Sequence, residues 1–211
     1  MGDLIFVLEV IGTIIFAFTG VTLAVEKKLD VLGAIVLGTA TAVGGGMIRD
    51  IILGIIPANM FLNPIYTILA IVTSLIVFFV EYFNKDKSIK LNKKLLRWIN
   101  ILDAVGLGVF VIVGVNVAIS EGYGENSFLV VFVGVITGVG GGVLRDLLAG
   151  IIPVILRTRV YAIAALIGAT SYYFMYLNEI SHAWCIVVSL FVTVAIRMLA
   201  IKYRWNLPRI K

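Results

Sequence analysis

The chain has 211 residues, of which 61% are hydrophobic and only 14% charged, and it carries a net charge of +5; its mean hydropathy is +1.11. Soluble domains carry about 25% charged residues, and the apolar runs here repeatedly exceed the roughly 18 residues that a helix needs to cross the hydrocarbon core, so an ordinary soluble fold is excluded. The lone Cys185 rules out an internal disulfide and a cysteine metal centre. The lone His182 falls near a predicted helix end, so both residues read as packing or interface positions, and no metal or cofactor is expected.

The runs predict seven spans, at 4–25, 31–53, 63–83, 102–119, 128–149, 159–177 and 183–202. They are about twice as long as barrel strands and lack strict alternation, so the predicted class is an all-α membrane protein. The first run opens with Asp3, has no Lys or Arg before it and contains Glu9, and therefore reads as a retained helix and not as a signal peptide. Seven spans put the termini on opposite sides and divide the loops into two sets. One set contains no Lys or Arg. The other holds Lys27, Lys28, six basic residues between Lys85 and Arg97, Arg157, Arg159 and the four of the C-terminal tail. The positive-inside rule then places the N-terminus outside and the C-terminus in the cytoplasm, with a prokaryotic plasma membrane as the expected location. The basic segments suit anionic lipid heads, and no nucleic-acid partner is expected.

Residues 41–57, TAVGGGMIRDIILGIIP, recur as residues 137–153, TGVGGGVLRDLLAGIIP, with eleven of seventeen positions identical. Upstream, LEVIG at Leu8–Gly12 matches LDAVG at Leu102–Gly106, Phe16 matches Phe110, and Gly20 matches Gly114. Each repeat crosses three times, and an odd number of crossings inverts the second copy, so the chain is expected to be two inverted three-helix repeats plus a seventh helix. The division predicted for this single transmembrane domain, 1–211, is repeat one at 1–83, a basic cytoplasmic loop at 84–100, repeat two at 101–178, and the seventh helix with its tail at 179–211.

Gly44, Gly45 and Gly46, with Gly140, Gly141 and Gly142, put three helix-weakening residues in mid-span, each costing about 1 kcal/mol relative to alanine. They predict a kink or an unwound turn whose carbonyls line a pore together with Thr41 and Thr137. Close helix packing along a small-residue stripe at multiples of four, Gly38, Ala42, Gly46 and Gly54 in one repeat and Gly134, Gly138, Gly142 and Gly150 in the other, is the competing reading. Arg49, Asp50, Arg145 and Asp146 follow the triplets; neighbouring helical residues point about 100° apart. Matched depth therefore predicts two pairs, Glu9 with Arg49 and Asp103 with Arg145, acting as a structural clamp or on a conduction path. Phe16 and Phe110 could close a narrow pore as a hydrophobic gate or pack in the core. Arg197 reads as a residue snorkelling toward the cytoplasmic side. There is no GxSxG, no HExxH and no TVGYG segment, so neither an enzyme nor a four-loop potassium filter is predicted.

The doubled GGGxxRD motif at Gly44–Asp50 and Gly140–Asp146, the three-plus-three-plus-one layout and the length resemble the prokaryotic relatives of the trimeric intracellular cation (TRIC) channels over essentially the whole chain. The resemblance implies a homotrimer with a pore for monovalent cations, chiefly potassium, in each protomer, and kinks at the glycine triplets of the second and fifth spans. No lysine occurs between Ile101 and Ile119, where animal members are associated with a voltage-sensing basic residue, so voltage control is not expected. The same prokaryotic sequences have been labelled glycine-transporter-like, which makes a carrier for glycine or another small amino acid the alternative.

Overall fold

The computed structural model describes residues 2–83, 93–157, 160–203 and 205, and among these every regular element is helical. Repeat one consists of α1 (Gly2–Glu26), α2 (Val31–Leu53), the short α3 (Asn59–Leu62) and α4 (Ile65–Phe83). Repeat two is α5 (Lys93–Ala118), continued by a π-turn over Ile119–Tyr123, then α6 (Ser127–Leu148), the short α7 (Val154–Arg157) and α8 (Val160–Leu177). The unpaired α9 (His182–Tyr203) follows and packs on α5 and α8. Seven of these helices are long and apolar enough to cross a membrane.

Local chemistry fixes the helix ends. Asp30 caps α2 by accepting from the Gly33 amide at 2.7 Å, and Asn126 caps α6 by accepting from the Leu129 amide at 3.0 Å, so each satisfies an orphan donor of the first turn. Just beyond α2 and α6, Gly54 (φ 74°) and Gly150 (φ 67°) adopt the left-handed conformation that ends a helix at little cost only for glycine. Gly54 therefore terminates α2 and is not part of its small-residue stripe.

The fourth span starts earlier than expected. Lys93–Asn100 form the first turns of α5, so this part of the expected basic loop is helix, while 84–92 lie outside the described residues. Polar and basic residues lowered the hydropathy there without breaking helical geometry. The short helices α3 and α7 were not foreseen either, because four residues are too few to show a period.

Burial follows the topology. Val109, Val111, Ile112, Val113 and Val115 are all buried, so over this stretch α5 is apolar and enclosed around its circumference. On the peripheral α4 only Ala70 and Ser74 are buried. Ile51, Phe128 and Phe191 are more than half exposed, as expected where lipid replaces water. α2 packs on α6 and α1 on α5, so the two repeats meet along a central group of four helices.

Candidate functional site

At the centre of this group α2 crosses α6, and the glycine triplets form the crossing. A Cβ on Gly45 would lie 3.2 Å from the Thr137 carbonyl carbon and closer still to its oxygen; a Cβ on Gly141 would meet the Thr41 carbonyl in the same way. The flanking glycines hold knobs from the opposite helix: Leu144 lies over Gly44, and Ile48, 3.2 Å from a Cβ on Gly140, takes the matching place. Of the kink or unwound turn expected at each triplet, the unwound turn is not present. α2 and α6 stay α-helical throughout, because the missing side chains are used for backbone approach between helices, as in small-residue packing of membrane helices. Thr41 and Thr137 also belong to the crossing. Their hydroxyls bond back to Leu37 and Val133 carbonyls at 2.5 and 2.7 Å.

The third glycine of each triplet makes room for a guanidinium. Cβ atoms on Gly46 and Gly142 would lie 3.7 and 3.8 Å from Nη2 of Arg49 and Arg145 respectively. Arg49 folds back so that its Nε and Nη2 both reach Asp50 Oδ1 at 2.8 Å; Arg145 holds Asp146 Oδ1 from the same two atoms at 2.9 Å. Adjacent residues were not expected to pair. The 100° separation applies to Cβ directions, and the long arginine stem spans it once glycine clears the surface one turn away. The other aspartate oxygen accepts a backbone amide at 2.8 Å, Asn59 for Asp50 and Val154 for Asp146, so each carboxylate ties the end of its transmembrane helix to the short helix that follows. These hydrogen bonds offset the several kcal/mol that desolvation of each ion costs.

Of the two pairs predicted from depth, Asp103 with Arg145 is present at 3.2 Å. Glu9 with Arg49 is not an ion pair in the structure: Arg49 reaches Asp50 alone, and Glu9 accepts a hydrogen bond from the Tyr66 hydroxyl. Arg197 does not snorkel. It is 5% exposed, its guanidinium lies 4.4 Å from the Tyr161 ring centroid, and Nη2 stands 4.0 Å from Asp103.

Two cavities approach the crossing from opposite faces. The one on the N-terminal face, about 240 Å³, is lined by Glu9, Thr13, Gly46, Arg49, Asp50, Asn63, Tyr66 and Phe110. The one on the other face, about 330 Å³, is lined by Thr19, Thr22, Asp103, Arg145, Asp146 and Arg197, with Glu26, Lys27 and Arg157 also in its wall. Between them, Phe16 packs on Phe110 with centroids 5.0 Å apart. Thr13 lines one cavity and Thr19 the other, so along α1 the closed segment around Phe16 is about 9 Å long at 1.5 Å per residue. Gly106 lies under the Phe16 ring, and a Cβ on Gly12 would come within 3.0 Å of the Phe110 ring, so each aromatic fits against a glycine of the opposite repeat.

The residues missed from sequence are Thr13, Thr19, Tyr66, Tyr161 and the inward-facing Arg197. Tyr66 and Tyr161 hold equivalent places in IYTILA and VYAIAA, a repeat signal weaker than the glycine motif but present. Arg197 gave no signal, since its helix has no repeat partner.

The sequence model of a family described as glycine transporter matches residues 6–82 and 100–177, the two repeats. The Escherichia coli K12 inner membrane protein YadS is 40% identical over 210 residues, covering 97% of this chain and 95% of YadS. A Vibrio cholerae membrane protein of the same UPF0126 group is 35% identical over 98% of this chain and 82% of its own length. Among solved structures, a TRIC cation channel superposes with a TM-score of 0.82 at 38% identity, covering 97% of this chain and 96% of that one. The TRIC orthologue from Rhodobacter sphaeroides gives 0.86 at 31% identity, over 96% of this chain and 99% of that one. With whole-length likeness in both sequence and fold, and the family model lying on both repeats, this chain belongs to the prokaryotic TRIC channel family.

Proposed function

We propose that the protein is a passive channel for monovalent cations, chiefly potassium, with a permeation path inside each protomer of a homotrimer. The observation that carries this reading is the pair of polar cavities that enter from opposite faces and stop on either side of the Phe16–Phe110 contact. A path joining them runs past Arg49, Asp50, Arg145 and Asp146, whose paired charges keep the field moderate, and through an aromatic constriction able to gate by dewetting. The names of the structural relatives, TRIC cation channels and a trimeric intracellular cation channel orthologue, support the ion class and the trimer.

The basic-residue asymmetry supports an external N-terminal face, which makes the cavity containing Glu9 external and the one containing Asp103 cytoplasmic. Anionic lipids are the expected neighbours of the basic cytoplasmic segments. The description of the family as glycine transporter favours a second reading, a carrier for glycine or another small amino acid, in which the same cavities open alternately. Liposomes containing only this protein separate the two. Potassium flux that follows the potassium gradient, with discrete current steps in planar bilayers, supports the channel. Saturable glycine counterflow without steps replaces it with the carrier.

A further inference from the structure

The repeat relates the two cavities, yet their carboxylates are partnered differently. Asp103 faces two guanidinium groups, Arg145 at 3.2 Å and Arg197 at 4.0 Å. Its counterpart Glu9 has no ion pair among the described residues; Arg49 is held by Asp50 at 2.8 Å and, unlike Arg145, does not also reach the carboxylate on the first helix of its repeat. The second cation at Asp103 comes from α9, which repeat one lacks. Over Tyr161 the structure therefore has a tethered cation, and over the equivalent Tyr66 it has open cavity.

Two independent observations point to a solute there. Thr13 is 2% exposed and lines the cavity, but its hydroxyl has no hydrogen bond among the described residues. Thr19, Thr22, Thr41 and Thr137 by contrast all bond to a carbonyl of the preceding turn. Thr13 lies one turn beyond Glu9 on the same face of α1. Second, the charged side chains lining this cavity are Glu9, Asp50 and Arg49, one negative charge in excess, whereas four basic side chains meet three carboxylates in the opposite cavity.

We infer that Glu9, Thr13 and Tyr66 form a binding site for one monovalent cation on the N-terminal face, in the position that the Arg197 guanidinium fills on the other. The donors are all oxygen, which suits a hard cation, and a single excess charge suits a monovalent ion, since calcium sites gather several carboxylates. Tyr66 donates its proton to Glu9 and keeps its lone pairs for the ion. The inference deepens the cation-channel reading by giving the path a capture site at one mouth.

The test is thermal unfolding of the full-length protein in detergent, with potassium chloride replaced stepwise by N-methyl-D-glucamine chloride at fixed ionic strength. Potassium should raise the melting midpoint of the wild type with saturation. Glu9→Gln, which keeps the shape and can still accept from Tyr66, should raise the half-saturating concentration by roughly tenfold or more, and Thr13→Val by a smaller factor. Equal potassium responses in wild type and Glu9→Gln, or no saturable response in the wild type, overturn the site. Liposome flux measured in parallel keeps the two readings apart: a response lost in Glu9→Gln with no wild-type flux retains the site and removes the channel, whereas flux with identical responses does the reverse.

Discussion

Replacing Gly45 by alanine tests the helix crossing directly. The added methyl would sit 3.2 Å from the Thr137 carbonyl carbon and inside the contact distance of its oxygen, and both atoms belong to α6 backbone, which cannot rotate away as a side chain can. Ordinary carbon contacts lie at about 3.5–4.0 Å, so the helices must part by roughly 1 Å or bend. Overpacking of this kind costs about 1–3 kcal/mol, more than the roughly 1 kcal/mol that alanine gains over glycine within a helix. Gly46→Ala gains the same propensity but meets nothing nearer than the Arg49 guanidinium at 3.7 Å, so it should be neutral or stabilising. Denaturant unfolding in mild detergent, followed by far-ultraviolet circular dichroism, compares the two neighbours under identical conditions. Gly45→Ala should unfold more easily by about 1–3 kcal/mol, and Gly141→Ala should behave alike. Equal stability of Gly45→Ala and Gly46→Ala would refute the crossing as the reason for the triplet.

Asp103→Asn and Arg145→Gln should each destabilise by about 3 kcal/mol, with a coupling of about 0.5–3 kcal/mol in the double-mutant cycle, whereas Glu9→Gln and Arg49→Gln should be nearly additive; a larger coupling for the second pair would contradict the observed partners. Phe110→Val should cost stability through the lost ring and also raise potassium flux in liposomes, because it thins the closed segment; unchanged flux would locate the constriction elsewhere. A cysteine at Ser88, outside the described residues, should resist impermeant thiol reagents in intact cells, with the buried Cys185 as an unreactive background; labelling from outside would invert the assigned orientation.

The large-scale architecture was legible because the bilayer leaves few solutions. Length, hydropathy and an odd number of crossings per repeat suffice to place seven helices and to invert the second copy. The site was legible only in part. The sequence singled out Arg49, Asp50, Arg145 and Asp146, which the structure buries, but pairing them by depth treated a side chain as a direction and ignored the reach of arginine. Asp103 with Arg145 survived because no nearer partner displaces Asp103, and Glu9 with Arg49 failed because Tyr66 supplies a donor that only tertiary structure brings close. The triplets were ambiguous for a similar reason. Three glycines weaken a lone helix, but the crossing helix that exploits their bare surface is ninety-six residues away, and each triplet is the surface the other requires.

That mutual requirement gives the GGGxxRD motif a physical order. Its first glycine holds a knob from the other repeat, its second allows the backbones to touch, and its third leaves room for the guanidinium that the next residue but two returns to its own aspartate. The aspartate then fixes the short helix beyond the transmembrane end, so one seven-residue segment sets the crossing and shapes the wall of a cavity. Two such segments in opposite orientation each line a cavity, and the Phe16–Phe110 contact lies between the two. Exact symmetry would make both mouths alike. α9 breaks it by adding Arg197 to one side alone, so the two cavities differ through the helix that stands outside the repeat.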